Sequence, residues 1–321
     1  MKYHPNGSVL FVTFTVEEGL LFLSNPLCRA IVQSCLAAAQ SLYPVRISHF
    51  LVEATHIHLV ITVYNPEHVP AFMRHFKTES AHMINSLLGR KKRTLWCEGY
   101  DSPTVLTFTK AMMVIAYIYS NPGKDNLVRS IDEYPGLSSW HMFKSGERLK
   151  VWKRLRRPQF RALTKDSHNL RGYTKEAERL LADSTELQTF KLEPNAWLEV
   201  FGITGPAEQQ RINAKVVARV RTLEERAARV REREKKSVIG RERLINQRFD
   251  QTYRPSRKSK RMWCLAERRA IRMAHIRMFK KLKQEARRVL ALWKQGDMTE
   301  RYPPGLYPPS FPKLANALVV C

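Results

Sequence analysis

Apolar and polar positions alternate with two different periods in the first 125 residues, and each period marks an element. The run "VLFVTFTV" (9–16) is apolar and β-branched, which predicts a strand. "PLCRAIVQSCLAAAQSLY" (26–43) changes to helical spacing, with Leu27, Ile31, Cys35 and Leu36 on one face. Pro26 stands where a first helical turn tolerates it. "VRISHFLVE" (45–53) and "HIHLVITV" (56–63) are two strand-like runs with a tight joint, which predicts a hairpin. Residues 66–88 return to helical spacing, with Val69, Phe72, Met73, Phe76, Met83, Ile84 and Leu87 as the apolar stripe and Gly89 placed to cap it. "PTVLTF" (103–108) predicts a fourth strand. "KAMMVIAYIYSNP" (110–122) predicts a helix that Asn121-Pro122 stops, because a residue before proline disfavours helical geometry. The order β-α-β-β-α-β-α predicts an α+β fold whose first six elements follow the ferredoxin-like split βαβ arrangement.

The pattern changes near residue 145. "LKVWKRLRRPQFRALTK" (149–165) is basic with interleaved aromatics. Residues 206–235 predict one long helix, in which Val216, Val220, Leu223, Ala227 and Val230 form a short heptad run suited to packing within this region or against a partner helix. "DQTYRPSRKSKR" (250–261) has linker composition, and 262–294 predicts a second long basic helix. "YPPGLYPPSFP" (302–312) predicts an extended proline-rich tail. The expected organisation is a folded unit over 1–145 and a mainly helical basic region over 146–321.

Charge sharpens that division. The 321 residues carry a formal net charge of +26. Residues 1–150 hold 15 Lys/Arg against 11 Asp/Glu, and 151–321 hold the other 40 against 18. So strong an excess of positive charge predicts a polyanionic partner, most simply nucleic acid. Trp152, Phe160 and Tyr173 among the basic residues suggest either base stacking or helix packing. The five cysteines show no metal-finger spacing, and their scatter suits a reducing compartment. No apolar run approaches the roughly 18 residues of a membrane span, and the N-terminus lacks the order of a signal peptide. The expectation is a cytoplasmic protein, associated with the nucleoid when bound to DNA, with no membrane contact.

The candidate chemistry lies in "EATHIHLVITV" (53–63). Strand side chains alternate, so His56 and His58 share a face, about 7 Å apart along the strand. Two such imidazoles can converge on one metal ion, although a half-exposed polar face would look the same. Tyr117 and Asn121 stand at i and i+4 on the last predicted helix, which stacks them on one side. A tyrosine hydroxyl and an amide oxygen one turn apart suit a nucleophile and a third ligand. A core aromatic and a helix cap are the plainer alternative. Tyr119 falls about 200° round the helix from Tyr117 and belongs to the core or the surface.

"EATHIHLVITV" resembles the HUH motif, two histidines around a bulky apolar residue. "AYIYSNPGKDNLV" (116–128) resembles the tyrosine-to-Asn-Pro segment of the REP-associated tyrosine transposases, single-tyrosine HUH proteins. "MRHFKTESAHMINSLLG" (73–89), "LWCEGYDSPTV" (95–105) and "YPGLSSW" (134–140) follow in the family's order. The resemblance covers about residues 5–142. This chain departs from the family at Thr55, where an Asn is usual, at Glu53-Ala54, where Met-Pro is usual, and in "NPGKDNLV", which lacks Arg-Ala-Gly.

The resemblance implies that His56, His58 and Asn121 hold one divalent ion, Mg²⁺ or Mn²⁺. It implies that Tyr117 attacks a phosphodiester of single-stranded or hairpin DNA, releasing a 3′-hydroxyl and forming a 5′-phosphotyrosine. Lys77 and the cluster Arg90, Lys91, Lys92 and Arg93 are candidate phosphate contacts. The activity so implied is a metal-dependent single-strand DNA endonuclease and strand-transferase of transposase type, acting at hairpin or repeat DNA, as a monomer or a homodimer. The alternative is a domesticated, catalytically silent DNA- or RNA-binding protein on the same fold.

Overall fold

The computed structural model describes residues 2–90, 94–163, 170–247, 251–253 and 262–308, without the side chains of 161–163 and 170–174. The first part follows the predicted order: β1 (Ser8–Thr15), α1 (Pro26–Leu42), β2 (Arg46–Val52), β3 (His56–Val63), α2 (His68–Leu87), β4 (Thr104–Val105) and α3 (Phe108–Lys124). The strands lie in the order β2-β3-β1-β4, each pair antiparallel. β3 thus sits between the parallel strands β1 and β2, which is the split βαβ arrangement. Local chemistry sets the boundaries. The Asn25 side chain accepts from the Leu27 amide at 2.9 Å ahead of Pro26 at the start of α1. Gly89, at φ +63°, follows α2 in the left-handed region its predicted capping role requires.

The two strand faces carry different cores. Ile57, Leu59, Ile61 and Phe14 belong to a cluster with residues of α1 and α2, among them Ile31, Val32, Phe72 and Phe76. Val9, Leu51 and Val60 belong to a second cluster with Ile115, Ile118 and Tyr119 of α3. The histidines of β3 alternate with Ile57 and therefore face the α3 side.

Residues beyond 139 supply α4 (Trp140–Ser145), β5 (Leu149–Lys153), α5 (Arg157–Leu163), α6 (Leu170–Asp183), β6 (Leu187–Lys191), α7 (Ala196–Val200), α8 (Pro206–Arg233), α9 (Arg241–Ile245), β7 (Cys264–Leu265) and α10 (Arg269–Lys294). β5 and β6 form their own antiparallel pair, while β7 adds to the main sheet parallel to β4. Both clusters draw on this region. Trp152, Phe160 and Phe190 join the first, and Trp197, Ile212, Val216 and Val220 join the second.

Four sequence expectations change. The last predicted helix does not stop at Asn121-Pro122 but runs to Lys124 with the proline inside it. Pro122 falls in the final turn, where its missing N–H costs a single intrahelical bond. The carbonyls there find partners beyond the helix: Asn121 accepts from Asp125, and Pro122 from Leu127 and Val128. The predicted strand over 103–108 is reduced to Thr104 and Val105, although the Pro103 carbonyl also accepts from Phe11 of β1 and the Leu106 amide donates to Leu265. The second basic helix starts at Arg269 rather than 262, because Cys264 and Leu265 are taken into the sheet. Trp152 and Phe160 are buried, and Trp152 stacks on Phe190 with centroids 4.5 Å apart, so both pack rather than meet bases. The Tyr173 side chain lies outside the described residues.

The heptad run of α8 packs along α3 through Val216 and Val220, while Val230 is exposed. The predicted linker lies mostly outside the described residues, as do 309–312 of the proline-rich tail. Its described part docks on the N-terminus: His4 donates to the Gly305 carbonyl at 2.7 Å, and Leu306 is buried. No helix among the described residues is long and apolar enough to cross a membrane.

Candidate active site

β3 delivers the two histidines from its first turn of register. His56 stands opposite Thr15 and His58 opposite Thr13 on β1. The turn before them is pinned on both sides. Glu53 donates its amide to the His56 carbonyl at 2.8 Å, and the Thr55 carbonyl accepts from Val16 at 2.8 Å. The two imidazole centroids are 4.6 Å apart with planes at 87°.

His58 is buried and fully engaged. Its Nδ1 lies 3.1 Å from the Thr13 hydroxyl, and its Nε2 lies 3.1 Å from the Asn121 side-chain nitrogen. An amide nitrogen only donates, so Nε2 carries the lone pair and Nδ1 the proton that Thr13 accepts. That tautomer points the Nε2 lone pair toward α3, where the Asn121 amide occupies it. Phe11 stacks on the same ring at 5.3 Å. Burial first, then the charges of His56 and Lys124, hold the His58 pKa well below that of an ordinary histidine. The imidazole is therefore neutral at neutral pH, the form that binds metal.

α3 supplies the other two expected groups. Tyr117 is exposed, with 38% of its surface open, and its ring lies edge-on to His58 at 6.1 Å. Lys124, two turns on, places its ammonium 5.0 Å from the Tyr117 ring centroid. Asn121 is buried, and its Oδ1 has no hydrogen-bond partner. A half-turn of the amide would exchange that oxygen with the nitrogen now facing His58. Tyr119 is core: it is fully buried, bonds His49 Nδ1 at 2.8 Å and Ser139 at 2.7 Å, and has its pKa raised by that burial.

A fourth group completes the cluster. Glu53 is 2% exposed, and neither carboxylate oxygen has a hydrogen-bond donor. Its Oε2 lies 3.1 Å from His56 Nε2. One ligand atom from each of Glu53, His56 and His58 falls within 4.8 Å of the others. The negative field of Glu53 reaches further. Burial and then Glu53 raise the Asp125 pKa, with Lys124 and His56 opposing, and the same two causes raise that of Tyr134. Two imidazoles, a carboxylate and an orphaned amide oxygen form a donor set that suits a divalent ion such as Mn²⁺ or Mg²⁺.

The basic candidates lie apart from this cluster. Lys77 sits on α2, on the sheet face opposite the histidines, and donates to the Cys97 carbonyl at 2.9 Å and to that of Gly99. Burial lowers its pKa. Arg90 faces Glu18 at 3.5 Å. Lys91, Lys92 and Arg93 lie outside the described residues. Sequence reasoning missed Glu53 as a functional group, along with Thr13, Phe11 and Lys124. Glu53 was visible as a departure from the family pattern, three residues before His56. The Thr13 contact depends on register across two strands, which no local pattern encodes.

Residues 18–121 match the family model described as "Transposase IS200 like". No curated protein matches the chain. Among solved structures, one described as a REP-associated tyrosine transposase bound to a REP hairpin aligns at 17% identity and a TM-score of 0.40, over 45% of this chain and 84% of its own. Over residues 18–121, which hold His56, His58, Tyr117 and Asn121, the chain carries the sequence pattern of an IS200-like transposase.

Proposed function

We propose that the protein is a metal-dependent single-strand DNA endonuclease and strand-transferase of transposase type, acting at hairpin or repeat DNA. The observation that carries this reading is a convergence. Tyr117, exposed on α3, lies edge-on to His58 of β3, and Asn121 of the same helix touches that histidine at 3.1 Å. The match of residues 18–121 to the IS200-like transposases supports it.

His56, His58 and Asn121 would hold the ion, which when bound supplies positive charge to polarise the scissile phosphate. Tyr117 Oη attacks phosphorus in line. The P–O3′ bond breaks, the released 3′-hydroxyl gains a proton, and the phenol's proton passes to solvent. The 5′-phosphate stays on Tyr117 as an ester. A phenol ionises near pH 10 and is a better leaving group than an alkanol, so the released hydroxyl can reverse the linkage without an energy source. The Lys124 ammonium lies over the Tyr117 ring, 5.0 Å from its centroid, and holds the ring by a cation–π contact. Arg90 and Lys77, with Lys91, Lys92 and Arg93, would add phosphate contacts through whatever donors their own partners leave.

Covalent capture tests the reading. The full chain is incubated with labelled single-stranded hairpin DNAs and Mn²⁺ or Mg²⁺, and denaturant-resistant adducts are counted. An adduct that requires the metal and disappears in Tyr117→Phe and His58→Ala is the expected result. Tight binding with no adduct, unchanged in both variants, would instead favour the catalytically silent binder.

A further inference from the structure

We infer that Glu53 is a direct ligand of the bound ion, the one anionic donor of a four-residue site formed with His56, His58 and Asn121. The inference rests on the metal site proposed above and goes past its three neutral donors.

Three observations carry it. The first is isolation. Glu53 is 2% exposed and receives no hydrogen bond on either oxygen, its one ion-pair contact being His56, whereas a buried carboxylate is ordinarily hydrogen-bonded or coordinated. Its near neighbour is His56, whose Nε2 at 3.1 Å offers a single proton at most, and to one oxygen only. The second is convergence. Ligand atoms of Glu53, His56 and His58 lie within 4.8 Å of one another, close enough to meet one ion. The third is the matching orphan across the cluster. Asn121 Oδ1 is buried without a donor as well, and the amide nitrogen with which a half-turn would exchange it lies 3.1 Å from His58 Nε2. With the amide so turned, a cation in the cluster would satisfy the Asn121 oxygen and the Glu53 carboxylate together.

The charge argument points the same way. Two imidazoles and an amide are all neutral and would leave a divalent ion at its full charge in a buried setting. One carboxylate halves that charge. It also gives a hard oxygen donor, which Mg²⁺ and Mn²⁺ prefer over nitrogen. Four protein atoms do not saturate an ion that takes six ligands, so water or a phosphate oxygen supplies the balance.

The competing role for Glu53 is to orient His56 from outside the coordination sphere, as carboxylates often do. The experiment separates the two. Full-length protein carrying ¹³C at its glutamate carboxyls is titrated with Mn²⁺, and binding and ¹³C coupling to the bound ion are read by electron paramagnetic and double resonance. Wild type, Glu53→Gln and His58→Ala are compared, and melting temperatures are taken with and without Mn²⁺.

The expected result is a strong ¹³C coupling that Glu53→Gln abolishes, with Mn²⁺ binding weakened by about tenfold or more. The same substitution should shrink the rise in melting temperature that Mn²⁺ produces. Weakened binding of a wild-type ion that shows no ¹³C coupling would place Glu53 outside the sphere and overturn the inference. Binding unchanged in Glu53→Gln would overturn it too. If wild type binds no Mn²⁺, or His58→Ala binds it equally well, the proposed metal site itself fails.

Discussion

Residues 1–150 carry the site and a net charge of +4, while 151–321 carry +22 and none of the candidate catalytic groups. On charge alone the second region reads as a basic appendage to a self-sufficient catalytic unit. Its apolar residues say otherwise. Trp197 stacks on Phe108 of α3 at 5.6 Å, Phe190 meets Phe50 of β2 at 5.5 Å, and β7 extends the sheet beyond β4. Charge asymmetry marks where a chain faces a polyanion. It does not mark where a core ends, because a basic helix can be charged on one side and buried on the other.

The comparison breaks most visibly if the chain is cut. Removing 151–321 uncovers the outer face of α3 and the side of α1 that packs on β5 and β6. The expected outcome is a 1–150 fragment that aggregates or melts without a cooperative transition, followed by circular dichroism. A fragment with a sharp melt and native near-ultraviolet signal would restore the appendage reading.

Crossing one residue from each region sharpens the contrast. Trp197 is fully buried, so Trp197→Ala should cost about 3–5 kcal/mol in urea denaturation. Tyr117→Phe changes an exposed hydroxyl and should stay within about 0.5 kcal/mol while abolishing the DNA adduct. Stability would then reside in the region without chemistry and activity in the region without the charge. A smaller effect is expected at the seam. Glu224 of α8 accepts the Ile131 amide at 2.6 Å and Arg221 at 2.8 Å, while Arg231 donates to the Gly123 carbonyl at the end of α3. Glu224→Ala leaves a buried amide unpaired and should cost roughly 1–3 kcal/mol by the same measurement.

The pH dependence of stability crosses the seam as well. Burial lowers the His49 pKa to about 3, with the Pro194 backbone of the second region opposing. The folded imidazole stays neutral, whereas the unfolded one takes a proton below about pH 6.5. The unfolded state therefore binds more protons between those values, and stability falls as pH drops through that window. His49→Gln should flatten the fall by up to about 1.4 kcal/mol per pH unit between roughly pH 6 and 4, read from urea midpoints at stepped pH. An unchanged slope would mean that the ring titrates normally in the folded protein.

How much of this was legible beforehand depends on range. The first seven elements, the shared face of His56 and His58, and the pairing of Tyr117 with Asn121 follow from periods of two and 3.6, which are local. What the sequence hid is non-local. Val216 and Val220 read as a heptad seam, but only the tertiary structure names α3 as their partner. The short strands β5, β6 and β7 were invisible because two to five residues carry little period. At Pro122 the local rule gives way, because the amides of Leu127 and Val128, from beyond the helix, take up its carbonyl. Glu53 looked like a neutral change of family pattern until the hairpin turned it toward His56.

The smallest expected effect bears on the charge itself. Arg277, Lys280 and Lys281 of α10 are exposed and make no salt bridge among the described residues. Replacing all three with glutamine should leave stability within about 0.5 kcal/mol per site, since nothing buried depends on them. If α10 tracks a single strand, each lost phosphate contact lowers the slope of log binding constant against log salt by about 0.7, so the triple variant should lose roughly 2. Fluorescence titration of a labelled oligonucleotide at several salt concentrations reads this directly. An unchanged slope would move the nucleic-acid face away from α10 and toward the basic residues nearer Tyr117, such as Lys124. The excess charge of the second region would then serve some purpose other than holding a nucleic-acid strand.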